Sequence, residues 1–146
     1  MHYQGNFDVP AARDAAYAFL IEPKNLVSIF PDAHDLRIID ENNFSAKVKV
    51  GMSFIKGTLD VKMTLVEKKP SSFAKLKARG TGMNSSVDLE SAFSLEDGRS
   101  SGTTIAWTAD TKISGMMASV GSRLMESAAE KYVNQIVDSL KRKLAQ

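Results

Sequence analysis

The fold is decided by the stretch SVGSRLMESAAEKYVNQIVDSLKRKLAQ, residues 119–146 of a 146-residue chain. Apolar side chains recur there at the spacing of one helix face, without a proline, over about 26 residues or about 39 Å of helix. Ser119 is the predicted N-cap, behind a loop that begins at Ser114 and Gly115. The apolar face consists of Val120, Leu124, Ala128, Tyr132, Ile136, Leu140 and Leu144. Such a helix needs a matching apolar surface, so we expect the rest of the chain to wrap around it.

The chain opens with a strand and two short helices. Residues 3–9 alternate in strand spacing, and helical patterns follow at 11–21 and 25–29, separated at Pro23. Further strands are predicted at residues 36–39, 44–52, 54–66, 73–78, 87–95 and 103–113. Their short connections predict an antiparallel meander.

Together these elements predict one α+β domain over residues 1–146. In this domain a curved, seven-stranded antiparallel sheet wraps around the long C-terminal helix, and two short helices follow the first strand. The apolar and polar residues of 55–65 alternate, which gives the sheet one buried face and one wet face.

The composition excludes several classes of function. The net charge is +2 with both signs interspersed, which argues against a nucleic-acid partner. The chain has no cysteine, so disulfides, thiol catalysis and thiolate metal sites are excluded. The sequence shows neither a signal-peptide pattern nor an apolar run long enough to span a membrane. We expect a cytoplasmic protein whose membrane contact is at most peripheral and transient, at the inner face.

The face of the sheet that meets the helix carries small residues among large apolar ones. Such a face either approaches the helix closely or encloses a pocket. Because a bent sheet cannot follow a straight helix along its whole length, we favour a pocket for a hydrophobic small molecule over a filled core. The predicted lining comprises Leu59, Val61, Met63, Ala78, Leu89, Phe93, Trp107 and Ala109 from the sheet, and Val120, Leu124, Ala128 and Tyr132 from the helix.

The connections between strands differ at the two ends of the sheet. Those at one end are polar, whereas those at the other combine glycine with methionine or phenylalanine. Methionine adapts to irregular apolar partners. These side chains either fold inward and plug the sheet or form a mouth that admits a ligand or touches a bilayer or a protein. The predicted mouth residues are Met52, Phe54, Met83, Met116 and Met117.

Polar chemistry is sparse in this sequence. His2 and His34 have no metal-ligand partner at helical or hairpin spacing, and the segment 32–35 is interpreted as an ordinary turn. We predict no catalytic residue, no metal site and no cofactor. Arg79 and Arg123 are candidates for binding a polar headgroup, with surface salt bridges as the alternative.

Several motifs resemble those of the CoxG family of carbon monoxide dehydrogenase subunits. They lie at residues 5–10, 50–58, 102–110 and 121–124, with Phe19, Leu20, Pro23, Pro31 and Leu36 between them. The chain departs from the family pattern at 31–33, where Pro-Asp-Ala replaces Pro-Gly-Cys, and at 53–55, where Ser-Phe-Ile replaces the Gly-Pro before Lys-Gly. It also ends at Gln146 without the extension that could anchor longer members.

The resemblance implies a helix-grip fold of the START/Bet v 1-like (SRPBCC) superfamily, which includes polyketide cyclases and lipid-transfer domains. It also implies a quinone-like or lipid-like ligand and an accessory role beside a molybdenum-type dehydrogenase, in membrane recruitment or in delivery of the electron acceptor. We favour a non-catalytic binding protein. The alternatives are an assembly adaptor with an incidental cavity and a cyclase-type enzyme.

Overall fold

The computed structural model describes residues 1–52 and 55–145. Its strands are β1 (His2–Val9), β2 (Ala33–Ile38), β3 (Asn43–Met52), β4 (Ile55–Lys69), β5 (Phe73–Gly82), β6 (Ser85–Asp97) and β7 (Thr103–Gly115). Its helices are α1 (Arg13–Leu20), α2 (Pro23–Ile29) and α3 (Ser122–Lys143), with 3-10 turns at Arg99–Ser101 and Met116–Val120. Pro23 is the first residue of α2. A backbone N–H at this position would have no hydrogen-bond partner within the helix, so proline is tolerated there.

The seven strands form one antiparallel sheet in the order β1-β7-β6-β5-β4-β3-β2. Strands β2 to β7 follow one another as a meander, and β1 pairs with the far side of β7. The predicted alternation holds in β4, where Leu59, Met63 and Leu65 are buried while Lys56 and Asp60 are exposed. The predicted α+β fold, a curved seven-stranded sheet with a long C-terminal helix, is confirmed.

Strand β2 begins earlier than the sequence pattern predicts. It starts at Ala33, and its pairing with β3 shifts register between His34 and Arg37. Asp32 and Asp35 have left-handed backbone angles, with φ of 61° and 55°. The interpretation of segment 32–35 as an ordinary turn therefore holds for Asp32 but was wrong for residues 33–35, which form the bulged first half of an edge strand. A bulge adds one residue and so hides the alternation.

Helix α3 begins at Ser122, later than predicted, because a 3-10 turn with a glycine on each side precedes it. Gly115 and Gly121 have φ of 86° and 95°, a conformation that favours glycine. The prediction of Ser119 as N-cap was wrong, since Gly121 occupies the cap. The Ser119 hydroxyl donates instead to the Met116 carbonyl at 2.5 Å, inside the 3-10 turn.

The main core lies where α1, α2 and the end of α3 meet the sheet. Phe44 and Ile105 are fully buried in it. The buried Thr103 hydroxyl donates to the Ala11 carbonyl at 2.8 Å, which ties β7 to the segment before α1. A Cβ on the preceding residue, Gly102, would collide with the Val9 carbonyl. Close packing between β1 and β7 thus requires a residue without a side chain at position 102.

Helix α3 is fastened to the sheet near its two ends. Leu140 and Leu144 are buried in the main core, and Met125 is buried near the start of the helix. The apolar residues between them are half-buried, and Leu124 is 46 % exposed. The straight helix therefore bridges the curved sheet and does not pack against it along its whole length.

Leu140→Ala should lower the free energy of unfolding by about 2–4 kcal/mol, because it opens a cavity where α3 joins the core. Leu124→Ala is the matched control on an exposed position of the same helix, and its effect should stay within about 0.5 kcal/mol. Urea denaturation followed by circular dichroism measures both values. Equal losses would show that the two halves of α3 contribute equally to packing.

Candidate ligand-binding site

The inner face of the sheet forms a partly open cavity of about 160 Å³. Val27 and Phe30 close one side of it, from α2 and the residue that follows α2. The remaining wall comes from strands β2 to β6, through Ala33, Ala46, Val48, Leu59, Val61, Met63, Leu76, Ala78, Gly80, Val87 and Leu89. Every lining side chain is apolar, so the cavity offers an apolar ligand a surface that water wets poorly.

The lining contains part of the site predicted from the sequence. The predicted residues that meet there are Leu59, Val61, Met63, Ala78 and Leu89. Phe93 and Trp107 belong instead to the main core, and Ala109 lies farther along the inner face of β7. Within the described residues, neither α3 nor the 3-10 turn before it contributes to the lining. Val120, Leu124, Ala128 and Tyr132 therefore lie outside it. The wall opposite the sheet is formed by α2. Helix α3 packs against the sheet near its two ends and does not reach this part of the inner face.

A second apolar cluster, which we call the mouth cluster, lies at the methionine-bearing end of the sheet. Its buried members are Val50, Ile55, Leu59, Met117 and Met125. Met117 is only 4 % exposed, so its side chain folds inward and plugs this end of the sheet. Leu59 also lines the cavity, which places the plug directly beside it.

The other predicted mouth residues differ in their placement. Met116 is 46 % exposed and is not a member of the mouth cluster. Val120 packs against the mouth cluster from the 3-10 turn. The side chain of Met52 and the whole of Phe54 lie outside the described residues.

Met83 is held over the mouth by the turn that carries it. Met83 and Asn84 are the two residues between β5 and β6, and both have a φ of 53°. Methionine is uncommon in this left-handed region, which a two-residue hairpin turn requires at both of its residues. The Met83 thioether occupies the space that a Cβ on Gly57 would fill. The absence of a side chain at position 57 therefore makes the space in which the Met83 side chain packs.

The plug segment Met116–Val120 is tied to the β5–β6 turn. The Met116 N–H donates to the Asn84 carbonyl at 3.0 Å, and the Met117 N–H donates to the Ser85 hydroxyl oxygen at 2.8 Å. At the other end of the segment, a Cβ on Gly121 would meet no atom within 4 Å. The plug is thus hydrogen-bonded at its start and joined to α3 through a glycine in open space.

The two candidate arginines lie outside the cavity lining. Arg79 is on the outer face of β5, where its guanidinium donates to both carboxylate oxygens of Asp88 at 2.7 and 3.0 Å. Arg123 is exposed in the first turn of α3. His34 lies half-buried on β2, with Nδ1 3.4 Å from the Asp32 carbonyl. Over residues 1–52 and 55–145, no group of three or more side chains is placed to hold a metal ion.

Tyr132 lies where α3 crosses β3. Its hydroxyl donates to the Lys49 carbonyl at 3.5 Å. Burial raises the pKa of Tyr132, and the carboxylate of Asp32 adds to the rise. The hydroxyl therefore stays protonated at neutral pH and remains a donor to the strand.

The sequence profile of one protein family matches residues 5–145, a segment that contains both the cavity and the mouth cluster. That family is CoxG, a group of carbon monoxide dehydrogenase subunits. The chain belongs to the CoxG family. A search of curated proteins finds no match.

Solved structures share the fold of this CoxG-family chain. A conserved protein from Geobacillus kaustophilus aligns with a TM-score of 0.89 at 20% identity, over 99% of this chain and 95% of that chain. A START superfamily protein from Mycobacterium smegmatis gives 0.71 at 9% identity, over 98% and 96%. The Zhui aromatase/cyclase from Streptomyces sp. R1128 gives 0.70 at 13% identity, over 99% and 93%. At these identities the likeness shows the fold alone, which is the START-like helix-grip fold.

The wall that sequence reasoning missed in this CoxG-family chain is α2. Leu26, Val27 and Ile29 are buried, and Phe30 is half-buried, within a segment of little more than two turns. A helix this short on the surface would carry fewer apolar residues. This high apolar content was the feature of the sequence from which the buried position of α2 could have been predicted. The signal does not say which part of the sheet the helix covers, because that depends on the path of the connection.

His2 joins the edge strand β1 to β7 on the outer face. Its Nδ1 lies 2.6 Å from a carboxylate oxygen of Asp110, and its Nε2 lies 3.1 Å from the side-chain oxygen of Gln4. The hydrogen bond to Asp110 raises the pKa of His2 above its ordinary value of 6.5. This pair is remote from the cavity lining, so it bears on stability and not on the site.

Asp110→Asn should bring the pKa of His2 down towards 6.5, as measured by NMR titration of the imidazole protons. Because the folded-state pKa exceeds the unfolded one, the pair contributes stability that is complete below pH 6.5 and lost as pH rises through the folded value. The variant should therefore lose stability at mildly acidic pH and little above it. Asp60→Asn, an exposed aspartate on β4, is the control and should leave the His2 titration unchanged. An unaltered His2 pKa in Asp110→Asn would contradict the assignment.

Proposed function

We propose that this CoxG-family protein binds the apolar part of a quinone-like or lipid-like molecule without catalysing a reaction on it. The supporting observation is the cavity of about 160 Å³, whose lining side chains are all apolar. An apolar cavity of about 150 Å³ in another protein stays dry and binds benzene. A ligand ring or short chain of similar size would supply the van der Waals contacts that the empty cavity lacks, and it would displace no well-bound water.

A longer ligand would extend from the cavity towards the mouth cluster. Leu59, Val61 and Val87 line the cavity and also belong to, or pack against, the mouth cluster. These shared side chains form a continuous apolar path that ends at Met117. We infer that the ligand enters when the plug segment moves about Gly121, since a Cβ at that position would meet no atom within 4 Å.

The cyclase-type alternative has less support. General acid–base catalysis needs a titratable group within hydrogen-bond reach of the reacting atoms. The lining of this cavity holds no histidine, carboxylate, lysine, arginine or tyrosine in the part of the chain that the structure describes. The aromatase/cyclase among the solved structures shares the fold at 13% identity, which carries no chemistry over to this chain.

The family description supports a partner enzyme, because it names carbon monoxide dehydrogenase. Carbon monoxide dehydrogenase releases electrons that need an acceptor, and a carrier with an apolar cavity suits an apolar acceptor. We therefore place the protein beside a molybdenum-type carbon monoxide dehydrogenase or a related dehydrogenase, as a carrier of the acceptor or in membrane recruitment of the enzyme. The alternative is an assembly adaptor, which would act on the enzyme equally well with its cavity filled.

Ala78→Phe should fill the cavity and weaken binding of the apolar fluorophore diphenylhexatriene by at least about tenfold, for an overpacking cost of about 1–3 kcal/mol in stability. Ala106→Phe is the matched control, because Ala106 lies exposed on the outer face of β7 and its variant should bind as the wild type does. Fluorescence titration measures both affinities, with thermal denaturation to confirm folding. Unchanged binding in a folded Ala78→Phe protein would count against the cavity as the site.

We also propose a transient membrane contact at the mouth. Met116 and Leu124 are each 46 % exposed, and the exposed Arg123 lies between them in sequence, where it can approach anionic lipid. Each apolar side chain contributes at most about 1.5–3 kcal/mol when fully buried, which supports reversible contact only. No helix in the described ranges has the length and apolarity needed to cross a bilayer.

A Met116→Asp, Leu124→Asp double variant should lose co-sedimentation with vesicles of phosphatidylethanolamine and phosphatidylglycerol. The control is Ile38→Asp, Ile39→Asp, which changes two residues that are even more exposed, at 58 % and 68 %, at the other end of the sheet. It should sediment as the wild type does. Equal losses in the two double variants would show that any exposed apolar residue suffices, and the mouth would have no special role.

A further inference from the structure

The outer face of the sheet separates charges that the sequence intersperses. Outward-pointing cations crowd the middle of three neighbouring strands, β3, β4 and β5, where they alternate with buried residues of the inner face. These cations, which we call the cationic face, are Lys47, Lys49, Lys56, Lys62, Lys75, Lys77 and Arg79. The one acidic residue in the segments 45–49, 56–64 and 75–81 is Asp60.

The neighbouring strands β6, β7 and β1 carry the opposite charge. Their outward-pointing carboxylates are Asp8, Asp88, Glu90, Glu96 and Asp110, beside Lys112 and His2. The net charge of +2 therefore conceals an outer face with a cationic half and an anionic half. Charges of one sign that lie together create a surface potential of several kT, which attracts a partner of the opposite sign.

The protein neutralises only part of the cationic face by itself. The ion pairs there join Lys47 to Asp60 at 3.7 Å, Lys75 to Glu90, and Arg79 to Asp88 at 2.7 Å. Within the part of the chain that the structure describes, no ion pair joins the remaining members, Lys49, Lys56, Lys62 and Lys77, to a carboxylate. These four lysines are all exposed. The cationic face therefore keeps an excess of positive charge that faces solvent.

Two members of the cationic face lie directly against each other. Lys62 on β4 is the register partner of Arg79 on β5. Like charges directly opposite on neighbouring strands destabilise a sheet. Arg79 already has a carboxylate in Asp88, so the fold gains no ion pair from a lysine at position 62. Neighbouring strands are about 4.7–4.9 Å apart, within the Debye length of about 10 Å at 0.1 M salt, so the fields of these cations add.

We propose that the cationic face docks on an acidic surface of the partner dehydrogenase. The inference rests on the proposed function, which puts a dehydrogenase beside this protein, and it adds the face and the chemistry of the contact. Complementary charges speed the encounter of two proteins and suppress wrong partners. The cationic face and the cavity lie on opposite sides of the sheet. A partner docked on the outer side therefore does not cover the cavity.

A bilayer and a nucleic acid fit this face less well than a protein does. The outer face of a curved sheet is convex, so a flat bilayer would touch only part of it. None of the large apolar residues exposed in the described chain lies in the segments 45–49, 56–64 and 75–81, so no such side chain there would enter lipid. The carboxylates of Asp60, Asp88 and Glu90 stand within and beside the face and would repel phosphates. A protein surface can match both signs at once.

The test measures, by biolayer interferometry, association with the molybdenum-type carbon monoxide dehydrogenase of the protein's own host. The face variant is Lys49→Glu, Lys62→Glu. The matched control is Lys24→Glu, Lys131→Glu, which changes the net charge equally at exposed positions of α2 and α3. The face variant should lower the association rate constant at least about tenfold at low salt, whereas the control should change it less than about twofold.

Salt and stability separate docking from a structural role. Added salt should slow association of wild type and shrink its difference from the face variant, because counterions screen exposed charges. Lys62→Glu alone should melt at or above the wild-type temperature, since it places an opposite charge against Arg79. An association rate that is insensitive to salt would overturn a charge-based contact. A lower melting temperature would give Lys62 a role in the fold and contradict the argument from its position.

The outcomes also distinguish this inference from the proposed function. Equal losses in the face variant and the control would show that only net charge matters, and the inference would fail. If wild type does not associate with the dehydrogenase, the proposed partner fails and takes this inference with it, while diphenylhexatriene binding still decides the ligand site. A face variant that keeps the dehydrogenase but loses phosphatidylglycerol vesicles would assign the face to lipid and overturn the inference. A salt-sensitive loss confined to the face variant supports it.

Discussion

The mismatch between a straight helix and a curved sheet is the constraint on which the rest of this structure depends. Because α3 is fastened at Met125 and at Leu140, it bridges the concave face, and the middle of its apolar stripe is only half-buried. Protein interiors otherwise pack closely. Part of the same concave face is covered by α2, and the cavity lies between α2 and strands β2 to β6. The core that stabilises the fold and the space that suits a ligand therefore share a boundary, since Val27, Ala46, Met63 and Leu76 belong to both.

The mouth shows how glycine and methionine act together. Gly57 leaves room for the Met83 thioether, and Gly121 joins the Met117 plug to α3 at a point where a Cβ would meet no atom within 4 Å. Glycine supplies the space or the backbone freedom, and methionine supplies a flexible apolar side chain that fills the space. A branched side chain in place of either methionine would have fewer rotamers with which to fill the same space. The combination fills the end of the sheet beside the cavity with side chains that can adopt other rotamers at low cost.

Sequence periodicity was sufficient for the sheet and for the inner-face residues, because alternation at period two fixes which side chains share a face. Leu59, Val61 and Ala78 were placed in the lining for that reason. The helix side of the site was not predictable in the same way. The pattern shows that the stripe of α3 is apolar, but the height of the helix above the sheet depends on where its ends are fastened. The bulge at Asp35 and the cap at Gly121 were not predicted, because each depends on a backbone conformation that residue type alone does not specify.

The irregular strand β2 also has a consequence for the behaviour of the molecule in solution. β2 is one of the two edge strands, and a regular edge offers unpaired backbone groups to the sheet of another molecule. The register shift between His34 and Arg37, with Asp35 in a left-handed conformation, interrupts that row of donors and acceptors. A second sheet cannot extend across the interruption in register. The defect that hid this strand from its sequence pattern therefore opposes edge-to-edge aggregation of a protein that carries only a small net charge.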